Sequence, residues 1–351
     1  MIELSVVVAT YRRRDTLAVT LKRLADQTLA ADRYEVIVVD DGSNDGTTEM
    51  VQSLSSQVGF RLRYLTHPNQ GPGATENLGI REAVGEVVLL IADDIHPEPT
   101  MLASHLRFHR DRPEPAVAAL GQVLQSPDLP ATVFMRHWNP FRYYELAGQS
   151  ELPYWKFWAC NISVKRQFLL ENGLFRELKG AAHEDVELGY RLSRKGLRIF
   201  FLPEAMAYHY HVETLDSAMA RAYERGRNWG FIEEHVPDPQ IHVKYHILNA
   251  RTVKHHITTF RNLSASQLPR EDRNLPWLLF RQTVRWMVFN RVTVPHVWIP
   301  LLRAADRNPR LARCMNGYLY RGTVFYHFLK GCHDQAVERR RGSAQLVSRE
   351  I

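Results

Sequence analysis

Glu35-Val36-Ile37-Val38-Val39-Asp40-Asp41-Gly42-Ser43-Asn44-Asp45-Gly46-Thr47 is the stretch on which the reading of this chain turns. Tyr34 to Val39 is a β-branched run of strand length, apolar on both faces, and so reads as a fully buried strand. Asp40 and Asp41 end it, Gly42 and Ser43 permit a tight turn, and Thr47 to Leu54 reads as a helix. Strand, polar turn and helix together make the repeating unit of a parallel sheet. The same residues also make an ordinary turn with a helix cap, so the motif alone does not decide function.

Working outward, the pattern repeats on both sides. Ser5 to Ala9 is a strand and Asp15 to Gln27 a helix with Leu17, Leu21 and Leu24 on one face. Arg61 to Leu65 is a third strand, Thr75 to Val84 a helix, and Val87 to Ile91 a fourth strand. The alternation predicts an α/β fold with a mostly parallel, Rossmann-like sheet flanked by helices. Ligands in such sheets bind beyond the carboxyl ends of the strands. Those ends carry Thr10-Tyr11-Arg12, Asp40-Asp41-Gly42-Ser43 and Asp93-Asp94. Residues 125 to 160 are aromatic-rich and irregular. Helices are expected over Lys165 to Glu171 and Glu184 to Arg194, a strand over Arg198 to Leu202, and a mainly helical extension from about 215. The final ERRRGSAQLVSREI reads as a frayed tail.

Composition narrows the class. The chain has 351 residues, 45% hydrophobic and 24% charged, which excludes disorder, collagen or coiled coil as its main character. No apolar run reaches the roughly 20 residues of a membrane span. MIELSVVVAT has no basic leader and does not read as a signal peptide. Cys160, Cys314 and Cys332 are too scattered for a disulfide framework, so a cytoplasmic setting is expected. The net charge of +7 is uneven. Residues 216–351 hold 22 Lys and Arg against 11 Asp and Glu, leaving 23 against 27 in residues 1–215. A basic C-terminal part points to an anionic partner such as a membrane face or a nucleic acid.

Several side chains fit chemistry. Asp93-Asp94 at a strand end suits a hard divalent cation that shares phosphate oxygens, although a solvated acidic loop has the same composition. His183-Glu184-Asp185 opens a helix, where carboxylates cap free N–H groups; one of them also fits a general base. In Tyr208-His209-Tyr210-His211 the two histidines share a face and suit a manganese-like metal. His105 and His109, one helical turn apart, read as structural. No Walker loop or GxGxxG fingerprint is present, so phosphate must be held another way.

These pieces stand in an order that resembles the family 2 glycosyltransferases, inverting enzymes of the GT-A fold. The resemblance rests on SVVVATYRR, EVIVVDDGSNDGT, NQGPGATENLGIREAVGEVVLLIADD, NISVKRQFLLENGLFRE, HEDVELGYRLSRKG and FLPEAMAYHYH, and covers about residues 3 to 215. It implies that Thr10, Tyr11, Arg12, Asp40, Asp41, Asn77 and Asp93 contact the nucleotide sugar. Asp94 and Asp93 would hold Mn²⁺ or Mg²⁺ with His209, and His211 in reserve. Asp185 would be the catalytic base, with Glu184 beside it. There are two departures. Ile91 stands where the family often has a further Asp, and Glu76 where it often has Arg.

The resemblance implies a catalytic domain over 1–215, with nucleotide-sugar binding in about 1–95 and the acceptor side in about 125–215, followed by a basic helical region over 216–351. The expected activity is metal-dependent, inverting transfer of a sugar from a nucleotide diphosphate, UDP-sugar before dTDP- or GDP-sugar. The acceptor would be a carbohydrate, lipid-linked or small-molecule hydroxyl. Phe134, Trp138, Phe141, Tyr143, Tyr144, Tyr154, Trp155, Phe157 and Trp158 either stack on that acceptor or fill a core. Trp277-Leu278-Leu279-Phe280 with Arg281, Arg285 and Arg291, and Tyr318 to Lys330, either touch the inner face of a membrane or pack as a helical subdomain or homodimer. The rivals are a non-catalytic sugar-nucleotide binder, a sugar-1-phosphate nucleotidyltransferase and a nucleic-acid-binding protein. The nucleotidyltransferase lacks its Gly-rich loop here, and the nucleic-acid binder has no use for the acidic motifs.

Overall fold

In a computed structural model of the chain, the described residues are 1–138, 143–149, 151–178, 182–238, 240–241 and 275–347, with side chains at all of these but 144, 275–279, 281–282 and 342–347. Phe141 and the side chains of Tyr144, Trp277, Leu278, Leu279 and Arg281 therefore lie outside the described residues. The chain forms two compact units, Met1–Pro130 with Asn139–Val212, and Ala131–Trp138 with Glu213–Ile351.

The first unit is built on one sheet. Its first half runs β1 (Leu4–Thr10), α1 (Arg14–Ala25), β2 (Tyr34–Asp40), α2 (Thr47–Ser55), β3 (Arg61–Thr66), α3 (Pro72–Glu82) and β4 (Val87–Ala92). Then come β5 (Ile95–Pro97), α4 (Met101–Asp111), β6 (Val117–Gln125), β7 (Asn161–Lys165), α6 (Arg166–Asn172), α7 (Glu184–Ser193) and β8 (Arg198–His209), while α5 (Val133–His137), between β6 and β7 in the chain, belongs to the second unit. The strand order is β3-β2-β1-β4-β7-β6-β8-β5. The pairs β2·β3, β1·β2 and β1·β4 are parallel. Beyond β4 the sheet is mixed, with β7 antiparallel to both neighbours and β5 antiparallel to β8. The parallel expectation thus holds for the first half. The second half adds β5, β6, β7 and α4, which the sequence reading did not mark.

Every residue of β2 is buried, as a parallel strand covered on both faces must be. Ile91, the family departure, is 2% exposed inside β4 beside Val8, part of the same core. Helix α3 lies close on β1 and β2 because Gly79 faces them; a Cβ there would collide with Val7 and Val39. Behind β7, His105 bonds Ser163 Oγ (2.8 Å) and Asn161 Oδ1 (2.9 Å), and His109 bonds the same Ser163 (2.9 Å). These two histidines tie α4 to the sheet and are structural.

The second unit contains α5, α8 (Leu215–Arg227), α9 (Trp229–His235), α10 (Leu275–Val288), a π-helical segment over Val294–Trp298, α11 (Ile299–Arg307), α12 (Pro309–Cys314) and α13 (Gly317–Val347). Helix α8 starts on a capping box between Thr214 and Ser217. Its core joins Phe134, Leu215, Met219, Leu302, Tyr320 and Val324. Helices α8 and α13 meet through two glycines; a Cβ on Gly226 would strike the carbonyl of Phe328, and one on Gly331 that of Tyr223. Of the tail expected to fray, residues 338–347 form the end of α13, with Glu338 ion-paired to Arg227 (2.6 Å), and 348–351 lie outside the described residues. Just before it, Gln335 accepts the Gly230 N–H (2.9 Å).

The aromatic segment is divided between cores. Phe134 and Trp138 pack in the second unit, Tyr143 and Phe157 are buried in the first, and Trp158 packs on that core beneath the Lys156 ammonium. Tyr154 and Trp155 stay half-buried.

Candidate active site

The candidate residues lie at the carboxyl ends of β1, β2, β4 and β8 and on the loop between α6 and α7. The first loop follows β1. Thr10 closes the strand, Tyr11 is exposed, and Arg12 has φ 53, a left-handed conformation that a side chain disfavours. The Arg12 N–H donates to Ser43 Oγ at 2.6 Å, and its guanidinium lies over the Tyr11 ring. The second loop follows β2. Asp40 Oδ1 accepts the Ser43 N–H (2.8 Å) and Oδ2 the Tyr64 hydroxyl (2.7 Å). Asp41 accepts the N–H groups of Gln70 (2.7 Å) and Gly71 (3.0 Å) and the Asn69 amide (2.9 Å). Asp41 therefore ties β2 to the start of α3.

The acidic pair ends β4. Asp93 Oδ2 accepts the Thr10 hydroxyl at 2.8 Å, and Thr20 Oγ1 donates to the Asp93 carbonyl at 2.6 Å. The Arg13 guanidinium reaches across both acids, Nη1 to Asp93 Oδ1 at 2.8 Å and Nη2 to Asp94 Oδ2 at 2.7 Å. That same Asp94 oxygen lies 3.3 Å from His209 Nε2 at the end of β8. Burial, opposed by Arg13, raises the Asp93 carboxyl to about 6. Burial pulls Asp94 upward as well, but His209 and Arg13 outweigh it and hold its carboxyl well below the usual range. His211 stacks on His209, ring centroids 5.4 Å apart, one step further along the chain. Asp94 and His209 meet here, with Asp93 next to Asp94 in the chain, and carboxylate and imidazole are donor types that suit manganese or magnesium. Among the described residues no group of three or more His, Cys, Asp or Glu side chains is arranged to hold a metal ion.

The third loop leads into α7. His183 is buried with φ 72, the second non-glycine residue with positive φ among the described residues. Glu184 and Asp185 fill the first turn, and the Val186 N–H donates to Asp185 Oδ1 at 2.7 Å. Glu187 is buried and accepts from Arg176 and Arg191, each at 3.0 Å. Arg191 also donates to the Leu174 carbonyl, fixing the loop before α7. Asn77 is clamped here. Its amide oxygen accepts the Phe175 N–H (2.9 Å), while its nitrogen donates to the Phe175 carbonyl (2.9 Å) and to Glu177 (3.1 Å). The resemblance placed Asn77 against the donor; the geometry gives its amide to Phe175 and Glu177.

The acids on the two sides of the site feel common neighbours. Burial raises the Cys160 thiol to about 12, and the charges of both Asp185 and Asp94 add to that rise. Glu76 is held well above the ordinary carboxyl range by burial and then by Glu184 and Asp185, and its Oε2 has no hydrogen-bond partner. Glu76, the second family departure, thus stands next to the base motif. The sequence reading missed Arg13, Thr20, Tyr64 and Glu187. The run Arg12-Arg13-Arg14 was the available signal for Arg13, since a cation beside a buried acid pair is expected on charge alone.

The chain is similar to known proteins. Residues 5–172 match Glycosyl transferase family 2. Chondroitin synthase of Escherichia coli is 27% identical over 267 residues, 67% of this chain and 38% of that protein. Validoxylamine A glucosyltransferase of Streptomyces hygroscopicus subsp. jinggangensis is 28% identical over 222 residues, 55% of this chain and 52% of that protein. The chain thus spans about half or less of these two relatives. Among solved structures, the mannosyltransferase PcManGT from Pyrobaculum calidifontis, in complex with GDP-Man and Mn²⁺, shares the fold with TM-score 0.58 at 17% identity. It covers 95% of this chain and 87% of that one.

Proposed function

We propose, from the match of residues 5–172 to glycosyl transferase family 2, that the chain is a metal-dependent, inverting glycosyltransferase of that family. Its catalytic domain is read as residues 1–215, with 216–351 as a basic helical region. The donor is a nucleotide diphosphate sugar, UDP-sugar before dTDP- or GDP-sugar; the structural relative that carries GDP-Man and Mn²⁺ supports a diphosphate donor with a divalent metal. The observation that carries the reading is Asp94 facing His209 at 3.3 Å beyond β4, with Asp185 opening α7 and the charges of Asp94 and Asp185 both felt by Cys160.

Asp94 and His209, with Asp93, would hold Mn²⁺ or Mg²⁺, which when bound offsets charge on the departing diphosphate. Thr10, Tyr11, Arg12 and Asp40 line the nucleotide side. Asp185 accepts the proton of the acceptor hydroxyl as that oxygen bonds to the anomeric carbon. The bond from that carbon to the diphosphate breaks, and its electron pair leaves with the phosphate oxygen. Glu184 and Asp185 also sit where the N-terminal dipole of α7 favours the charged form. Thermal unfolding against UDP, GDP, dTDP, ADP and CDP, each with and without Mn²⁺, tests the donor reading. A ligand at about 100 times its dissociation constant adds roughly 2.7 kcal/mol. A metal-dependent rise with one nucleotide is expected; no rise with any of them overturns it.

The second unit supports contact with an anionic membrane surface. Phe280, Trp286, Met287, Val292, Val297 and Tyr318 are exposed there, Trp286 at 71%, in a region whose charge is strongly basic. No helix among the described residues is long and apolar enough to cross a membrane, so the contact is peripheral. Flotation with vesicles containing anionic lipid, lost in Trp286→Ala, is the expected result. Equal absence of flotation with and without anionic lipid overturns it.

A further inference from the structure

Arg13 occupies the position from which a divalent cation would bind the acid pair. One guanidinium nitrogen holds Asp93 Oδ1 and another holds Asp94 Oδ2, the oxygen that also faces His209. A buried carboxylate needs either a full set of hydrogen-bond donors or a counter-charge. Here that charge comes from the chain itself. The two acids are almost enclosed, with side chains 4% and 8% exposed, whereas the Arg13 side chain is 35% exposed. The acids are anchored: Asp93 by Thr10 and by Thr20 on its carbonyl, Asp94 by the Tyr210 N–H on its carbonyl at 2.8 Å. Arg13 has no other partner recorded among the described residues, and its long side chain has a path toward solvent. The mobile member of the cluster is therefore the cation.

We propose that Arg13 is an exchangeable counter-ion, which bridges Asp93 and Asp94 until metal and diphosphate arrive together and then turns to the diphosphate oxygens. This rests on the donor reading above. The charge logic is simple. A divalent cation added beneath Arg13 would meet a guanidinium already bound to its ligands, and the two positive charges would repel. A diphosphate brings the missing negative charge and offers the planar guanidinium fork a pair of phosphate oxygens in place of the two carboxylates it gives up. Metal alone therefore competes with Arg13, while metal and nucleotide help each other. By linkage the enhancement is the same read from either ligand.

The test is Mn²⁺ affinity of the full chain, measured by calorimetry and by the paramagnetic signal of free Mn²⁺, for wild type, Arg13→Gln and Arg13→Lys. Each is measured without nucleotide and with saturating UDP or GDP. Expected for wild type is Mn²⁺ binding about tenfold or more tighter with the nucleotide present. Expected for Arg13→Gln is tighter Mn²⁺ binding without nucleotide, weaker nucleotide binding at saturating Mn²⁺, and a smaller enhancement between them. Arg13→Lys, which keeps the charge and loses the fork, falls between. If Arg13→Gln binds Mn²⁺ no tighter than wild type without nucleotide, the exchange is overturned while the donor reading stands. Wild type that binds Mn²⁺ equally well with and without a bound nucleotide overturns it without recourse to a variant. If no nucleotide diphosphate binds wild type at all, the donor reading falls and the hand-over with it.

Discussion

At the ends of β2 and β4 the chain writes the same dipeptide, Asp-Asp, and the fold treats the two pairs in opposite ways. Asp40 and Asp41 are held by backbone N–H groups, an amide and a tyrosine hydroxyl at 2.7–3.0 Å, and His67 Nδ1 stands further off, 3.6 Å from Asp41. Asp93 and Asp94 face Arg13 and His209, whose charge or position is able to change. Backbone donors make a carboxylate part of the scaffold. Side-chain cations leave it available for another cation. Two pairs that look alike in sequence therefore differ in what they are able to exchange.

That contrast is open to direct attack. Asp94→Asn removes the charge shared by Arg13 and His209. Sugar transfer is expected to fall by about 100-fold or more, roughly 3 kcal/mol of barrier, with little change in the unfolding midpoint; a large stability loss with retained turnover would reverse the assignment of the two pairs. Asp41→Ala is the mirror case. It strands the Gln70 and Gly71 N–H groups, and denaturant unfolding should show a loss of about 2–3 kcal/mol. A third kind of buried polar cluster sharpens the comparison because it carries no charge. His105 and His109 are neutral in the fold, lowered by burial to about 4 and about 3. The unfolded chain takes up their protons near pH 6.5, so stability is full above that pH and drops as pH falls toward 4. At pH 5 the loss is about 2 kcal/mol per histidine, and replacing His109 by Gln should flatten that acid limb. Smallest is Tyr64→Phe, which removes the bonds of that hydroxyl to Asp40 and Thr48 and should cost about 1 kcal/mol net, leaving Mn²⁺ binding unchanged.

The sequence made much of this legible. β1, β2 and β4 are short runs rich in β-branched residues with polar ends, a pattern that reads directly because both faces of each strand are covered, while β3, Arg61–Thr66 at the sheet's edge, alternates and is only half-buried. The second half of the sheet was harder. Val117–Gln125 is rich in alanine and glycine, and Asn161–Lys165 alternates Asn, Ser and Lys with apolar residues because His105 and His109 bond to it from behind. Polar residues facing a buried histidine look like loop residues in sequence. Ordered motifs put Asp93, Asp94, Asp185 and His209 on the page as candidates, but motif spacing carries no information on who neutralises whom. Arg13 is one residue past Arg12, and nothing in the run of three arginines says which one turns inward. Asn77 shows the converse, a motif position whose amide closes on Phe175 and Glu177.

Arg12 and His183 share a property that bears on how this protein would respond to engineering. Both are side-chain residues in a backbone conformation suited to glycine, and both sit in loops of the candidate site. A search of random variants for heat resistance would reward Arg12→Gly and His183→Gly, each relieving about 1 kcal/mol of strain where glycine's own loss of freedom does not cancel it. It would thereby strip two side chains from the loops that carry Thr10 and Asp185. Robustness and turnover are set against each other at these two positions, and a thermostability campaign would do well to hold both fixed.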